Sequence, residues 1–336
     1  MRLLVWTSVC LLLSSSSTWA AQDPRAAFAV ELNTAHRLPV FQPKSKRERA
    51  GVWAAKSALS VLSEGQVVGL ILDAAPELMN AGGKEGATVR SQLKKRYAEL
   101  ADDPLWADVE SPLHQAFEQT TPTMLVAPPR NKTADAKTAP VVVFLHGYGG
   151  NGRLFTWLLS RALPDCWVVS PSHGVSWRAP VDGYLDDALQ TFASRTGRST
   201  QDAVLVGLSD GGVGAFEVLR RHPKTFAGVV NIAALPTTSA APKLPRRVPQ
   251  LWLNGRRDRF VSAQRVRQRR RLVEQRGIHV DQRWFNSGHY FLLDDDGKAL
   301  EAIRGFVRAV HRSRGQSTSA HSASQKRSLT TTWRRR

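Results

Sequence analysis

Cysteine is scarce in this chain: only Cys10 and Cys166 occur among 336 residues. Cys10 falls within an N-terminal export pattern, so a mature chain would hold Cys166 alone and could form no internal disulfide. Stability must then come from a buried core, which a chain of this length can build. The nine histidines show none of the spacings that a zinc site needs, so no metal is expected. Membrane-spanning length is also missing, because the apolar stretch Leu3 to Leu13 is too short to cross a bilayer. With Arg2 before it and Thr18, Trp19 and Ala20 after it, that stretch reads as a signal peptide over residues 1–20, cleaved after Ala20. The expectation is an exported protein, periplasmic or secreted. Acidic residues are few as well, 28 against 47 Lys and Arg, giving a formal net charge of +19. No internal repeat is visible, and residues 313–336 contain no acid and almost nothing apolar, which predicts a disordered basic tail.

The most informative stretch is Gly207-Leu208-Ser209-Asp210-Gly211-Gly212. It follows the apolar run Ala203 to Val206 and precedes the helix-like Val213 to Arg221, so it reads as strand, sharp turn and helix. Gly-x-Ser-x-Gly in that setting is a nucleophile elbow, in which small neighbours allow a strained turn to lift a serine hydroxyl clear of the sheet. Ser209 is the candidate nucleophile. The plainer alternative is a serine-glycine turn that only caps a helix.

A serine hydroxyl needs a base within hydrogen-bond reach and a third group to orient that base. Downstream, the strand-like Pro249 to Asn254 runs into Gly255-Arg-Arg-Asp258, and the strand-like Ile278 to Phe285 runs into Asn286-Ser-Gly-His289. Asp258 and His289 thus follow consecutive strands and are the candidate acid and base. Asp210, Asp281 and Asp294 to Asp296 compete with Asp258; His146, His173 and His222 compete with His289. The expected roles of His146 and His222 are support of a neighbouring turn and the end of a helix. Upstream, the apolar Val141 to Leu145 runs into His146-Gly147-Tyr148-Gly149-Gly150, a turn able to offer backbone N–H groups to an oxyanion.

Over residues 120–312 these four features, in this order, resemble the α/β-hydrolase superfamily, specifically its carboxylesterase branch with phospholipase/carboxylesterase, feruloyl esterase and polyhydroxybutyrate depolymerase-like members. The resemblance implies a Ser209–His289–Asp258 triad, an oxyanion hole formed by the backbone N–H groups of Tyr148 and Asp210, ester hydrolysis through an acyl-enzyme, and no cofactor. A serine peptidase or thioesterase with the same triad is an alternative, because the acyl-transfer chemistry is shared. Gly147-Tyr-Gly149-Gly-Asn-Gly152 also matches a dinucleotide-binding run. That reading wants an acid at the end of the following strand, and Val169-Ser-Pro-Ser-His173 supplies none.

Alternating strand-like and helical segments across residues 120–312 predict a mostly parallel sheet covered by helices on both faces. Thr123 to Val126 reads as its first strand, with residues 128–140 as a hairpin loop and Cys166 packed in the core. Residues 21–119 read as a small helical region, with Val52, Ala55, Leu59 and Leu62 on one face and Val89, Leu93, Tyr97 and Leu100 on another, separated by Gly82 to Gly86. It fits a domain packed beside the hydrolase or a cap over its site, with a pro-segment as a third possibility. Between Lys243 and Arg276 twelve Lys or Arg face only Asp258 and Glu274. A solvated basic helix face accounts for this, and so does contact with an acidic polysaccharide or other anionic surface. No aromatic residue interleaves Arg265 to Arg271, which speaks against nucleic acid. A non-catalytic polyanion binder on a hydrolase fold is the remaining alternative.

Overall fold

The computed structural model describes residues 23–74, 83–150, 152–178 and 183–314. The expected signal peptide and all of the expected tail beyond Arg314 lie outside the described residues.

The strands are β1 (Phe28–Glu31), β2 (Thr123–Ala127), β3 (Val141–Leu145), β4 (Trp167–Pro171), β5 (Ala203–Leu208), β6 (Phe226–Ile232), β7 (Gln250–Gly255) and β8 (Val280–Phe285). They form an eight-stranded sheet in the order β1-β2-β4-β3-β5-β6-β7-β8. β2 runs antiparallel to both its neighbours, and every pair from β4 to β8 is parallel. The helices are α1 (Lys46–Leu59), α2 (Glu64–Ala74), α3 (Gly83–Ala101), α4 (Gly152–Ala162), α5 (Tyr184–Thr196), α6 (Asp210–Arg221), α7 (Ala263–Glu274) and α8 (298–314).

The central strands are apolar throughout because both faces are covered, and side chains alternate between the two cores. Val142 and Phe144 of β3, Val204 and Val206 of β5 and Leu251 and Leu253 of β7 face one core, with Leu154 and Trp157 of α4 and Ile303 and Val307 of α8. Val141, Val143, Leu205 and Trp252 face the other, with Phe192 of α5, Phe216 and Leu219 of α6 and Val266 of α7. β8 is an edge strand, and Asp281 and Arg283, paired at 3.0 Å, leave a charged rim that discourages further pairing.

Three expectations are corrected. Residues 128–140 are no hairpin: β2 pairs with β4, and the chain crosses from β2 to the far side of β4 to reach β3. Residues 21–119 are not wholly helical, since β1 pairs antiparallel with β2 from Phe28↔Val126 to Glu31↔Thr123 and extends the sheet. The glycines do not stand alone between the two helical faces: Gly83 and Gly86 lie within the first turn of α3, and the additional helix α2 comes between the faces as well. At the other end, α8 continues through Ser313 and Arg314, two residues beyond the expected edge of the hydrolase region. Cys166 is buried just before β4, and burial pushes its thiol up to about 12, so it is a packing residue with no thiolate character at neutral pH.

Val89, Leu93, Tyr97 and Leu100 of α3 are buried in the same core as α4 and α8. A polar pin adds to this packing. Glu64, at the start of α2, accepts hydrogen bonds from the hydroxyls of Tyr97 (2.7 Å) and Ser111 (2.5 Å) while only 3% exposed. Burial raises the Glu64 carboxyl above its ordinary value, only partly offset by those hydroxyls. A raised folded-state value means that the contribution to stability is complete below the ordinary carboxylate range and is lost as pH rises through the raised value. Glu64→Gln should therefore gain on wild type with rising pH. Between pH 4 and pH 8 the difference in Tm should move in favour of the variant. Parallel thermal melts of the two proteins check this, and a pH-independent difference would show that the carboxyl does not titrate with folding.

Candidate active site

The connections that leave the neighbouring strands β3 and β5 run in opposite directions along the sheet, from β3 to β4 on one side and from β5 to β6 on the other. The crevice at the carboxyl ends of β3 and β5 is where such a sheet presents its ligand site. The His146–Gly147 turn leaves β3 there, and Ser209 follows β5.

Ser209 has φ 51° and ψ −110°, a left-handed conformation that a side chain rarely adopts and that costs on the order of 1–3 kcal/mol. The surroundings impose it. The Ser209 N–H donates to the Ile232 carbonyl (2.8 Å), and the Ser209 carbonyl accepts from the N–H groups of Gly212 (3.0 Å) and Val213 (3.1 Å) to open α6. A Cβ on Gly207 would sit 2.5 Å from the Gly211 carbonyl oxygen and 2.6 Å from Gly212 Cα. A Cβ on Gly211 would overlap the carbonyl oxygens of Leu145 and His146. The glycines thus let the elbow close on itself and sit directly on the end of β3.

His289 and Asp258 arrive on the loops after β8 and β7. Those loops are tied together by backbone bonds from Arg256 to Phe285 (2.8 Å) and from Arg257 to Ser287 (3.0 Å). The Asp258 carboxylate, with its side chain wholly buried, accepts the Phe260 and Val261 N–H groups on Oδ1, both at 2.8 Å, and faces His289 Nδ1 with Oδ2 at 2.8 Å. His289 Nε2 lies 3.0 Å from Ser209 Oγ. With Asp258 able only to accept, the proton of neutral His289 sits on Nδ1, and Nε2 presents its lone pair to the serine hydroxyl. Three residues separated by 49 and 31 positions in the chain therefore form one chain of hydrogen bonds.

The competing groups are engaged elsewhere. Asp281 pairs with Arg283, and Asp294 accepts from Ser287 (3.2 Å). His222 caps the C-terminus of α6. His146 is fully buried; its Nε2 accepts the His173 N–H (3.1 Å), so Nδ1 carries the proton and donates to the Gly147 carbonyl (2.8 Å). Burial lowers it to about 4, which keeps it a neutral brace under the turn at ordinary pH. His173 stacks on Trp177 at 4.6 Å beneath the same turn.

Asp210 follows the serine directly, and Tyr148 follows Gly147 in the turn after β3. Among the described residues neither backbone N–H has a backbone acceptor, and Gly147 lies against Ser209, where a Cβ would be 3.8 Å from Ser209 Cβ. The Asp210 side chain makes contacts that the sequence did not disclose. Its buried carboxylate accepts the Trp177 N–H (2.7 Å) and the Ser176 hydroxyl (2.8 Å) and meets Arg178 at 2.7 Å, fastening the loop after β4 beside Ser209. The sequence also concealed an aromatic in the Arg-rich surface. The guanidinium groups of Arg256 (5.7 Å) and Arg267 (6.0 Å) both lie over the ring of Trp284 of β8, an aromatic brought to the Arg-rich helix α7 by a neighbouring strand. Among the described residues no group of His, Cys, Asp and Glu is arranged to hold a metal ion, and no helix is long and apolar enough to cross a membrane.

No protein-family model matches the sequence, and no curated protein does. Solved structures with a similar fold include esterase PE8, at 22% identity and a TM-score of 0.44 over 55% of this chain and 97% of that one. A ferulic acid esterase is similar at 18% identity and a TM-score of 0.46, over 57% and 94% of the two chains. A hyperthermophilic esterase from the archaeon Pyrobaculum calidifontis is similar at 16% identity and a TM-score of 0.45, over 57% and 82%. By its eight-stranded sheet with only β2 reversed, its glycine-lined elbow after β5 and its acid and histidine after β7 and β8, the chain has the α/β-hydrolase fold.

Proposed function

We propose that this protein is a serine hydrolase that cleaves carboxylic esters. The observation that carries the reading is the hydrogen-bonded series Ser209 Oγ, His289 and buried Asp258, together with the backbone amides of Tyr148 and Asp210, which have no backbone acceptor among the described residues. Ser209 Oγ attacks the ester carbonyl as His289 Nε2 takes its proton, and Asp258 stabilises the imidazolium without itself becoming protonated. The Tyr148 and Asp210 N–H groups receive the oxyanion, at about 3 kcal/mol per donor. The C–O bond to the alcohol breaks as His289 returns the proton to the departing oxygen. Water then repeats the sequence on the acyl-enzyme and frees Ser209.

The strained φ of Ser209 adds support, because a turn that served only to cap a helix would gain nothing from holding a serine there. A fluorophosphonate, which reacts with an activated serine and not with an ordinary one, is expected to label one peptide, that containing Ser209, and to abolish hydrolysis of p-nitrophenyl acetate in step. Labelling elsewhere, or retention of hydrolysis in the fully labelled protein, would overturn the reading. Peptide and thioester substrates run beside the nitrophenyl ester distinguish the two alternative acyl-transfer activities.

A further inference from the structure

A cavity of about 320 Å³ opens next to His289. Its walls come from three places: Gly86, Thr88 and Gln92 of α3, the loop after β7 through Arg257, Arg259 and Phe260, and the loop after β8 through residues 286–290. Tyr148, Gly147 and Trp177 do not line it. In a tetrahedral intermediate on Ser209, the oxyanion points to the amide donors and the departing oxygen points to His289 Nε2, which must protonate it. A space walled by His289, with neither the oxyanion turn nor Ser209 on its lining, fits the alcohol side of the ester better than the acyl side.

The chemistry of that space is uneven. Phe260 is 44% exposed, with its ring 4.8 Å from the His289 ring, an apolar face beside the reacting group. Arg257 is partly engaged, donating from Nη2 to the Asn286 carbonyl at 2.9 Å. Arg259 has no hydrogen-bond or ion-pair partner among the described residues. The acid on the lining is Asp294, whose carboxyl is raised by burial and which accepts from Ser287 and Gln92. The cavity thus offers a flat apolar surface beside His289 and, on the same loop, the exposed guanidinium of Arg259 together with that of Arg257.

Building on the esterase reading, we propose that this cavity takes an alcohol or phenol half that carries a carboxylate, with its body against Phe260 and its carboxylate on Arg259. A guanidinium meets a carboxylate through two parallel N–H···O bonds, which gives direction as well as charge. The Arg-rich composition of the Gly255 to Val261 turn acquires a local purpose, since its two flanking arginines sit on either side of the acid that orients His289.

The test compares phenyl acetate with 4-acetoxybenzoate, which release phenol and 4-hydroxybenzoate, in wild type and Arg259→Gln. Intrinsic leaving-group differences are common to both proteins, so the quantity read is the change in the kcat/KM ratio of the charged to the neutral ester. That ratio should fall about tenfold or more in Arg259→Gln, mainly through KM, as expected for loss of one charged hydrogen-bonding partner. Arg259→Lys should recover only part of it. Calorimetry of 4-hydroxybenzoate with Ser209→Ala, and with Ser209→Ala carrying Arg259→Gln, reads the same contact without turnover. Binding should weaken by a similar factor when the arginine is removed. An unchanged ratio, or 4-hydroxybenzoate binding that is absent or indifferent to Arg259, overturns the proposal. Failure of fluorophosphonate labelling at Ser209 would instead remove the esterase reading beneath it.

Discussion

Ser209→Ala is expected to lower kcat for ester hydrolysis by on the order of 10^4-fold or more while leaving the melting temperature within a few degrees of wild type. The first expectation rests on position. Ser209 Oγ is the atom that His289 Nε2 faces at 3.0 Å, and alanine leaves nothing to attack the carbonyl. The second rests on the backbone. The bonds that hold the elbow run from the Ser209 N–H to Ile232 and from Gly212 and Val213 to the Ser209 carbonyl, and alanine keeps them all. Alanine also has the same Cβ at φ 51°, so the strain is neither relieved nor increased. His289→Ala should be comparably inactive, and the double variant should be no worse than either single one, because neither side chain can accelerate the reaction without the other. Measured kcat for the three proteins, with circular dichroism to confirm folding, checks this. Appreciable turnover by Ser209→Ala would sink the proposed role of the elbow.

Much of this site was legible because the relevant signals are local. Gly207, Gly211 and Gly212 announce a turn that only small residues can make, and the apolar strands β3, β5 and β7 announce themselves because both their faces are buried. What the sequence concealed is what depends on distant partners. β1 is four residues long and finds its register only against β2, some ninety residues later, so Phe28 to Glu31 carries no period of its own. The path from β2 over β4 to β3 is likewise invisible locally, since a loop of thirteen residues serves a hairpin or a crossover equally well. The cavity beside His289 joins α3 to loops two hundred residues away, and Trp284 reaches its arginines across the β7–β8 edge. Gly83 and Gly86 belong to α3 because glycine lowers helix propensity without forbidding a helix whose other face is buried. Val89, Leu93 and Tyr97 provide that burial for α3.

The acid is where the structure adds most to the choice among neighbours, and Asp258→Asn is the substitution that tests it with least disturbance. Asp258 holds its loop through Oδ1, which accepts the N–H groups of Phe260 and Val261, and orients His289 through Oδ2. In the asparagine variant the carbonyl oxygen must remain on the two N–H groups, because turning the amide round would set its NH2 against two donors and cost about 1–3 kcal/mol for each group left unpaired. The NH2 therefore faces His289 Nδ1 and donates to it. Imidazole then carries its proton on Nε2, toward Ser209, where a lone pair is needed. The loop stays in place and the base is presented in the wrong tautomer, so kcat should fall on the order of 10^4-fold with little change in KM or melting temperature. Asp258→Ala should add a loss of stability, because Phe260 and Val261 would lose their acceptor. Asp281→Asn is the matched control: its carboxylate is paired with Arg283 on the exposed edge of β8, and activity should stay within about twofold of wild type. Full activity in Asp258→Asn would mean that His289 takes its orientation from another group. Among the described residues the carboxylate that meets His289 Nδ1 is that of Asp258, with its side chain wholly buried and its other contacts made to its own loop.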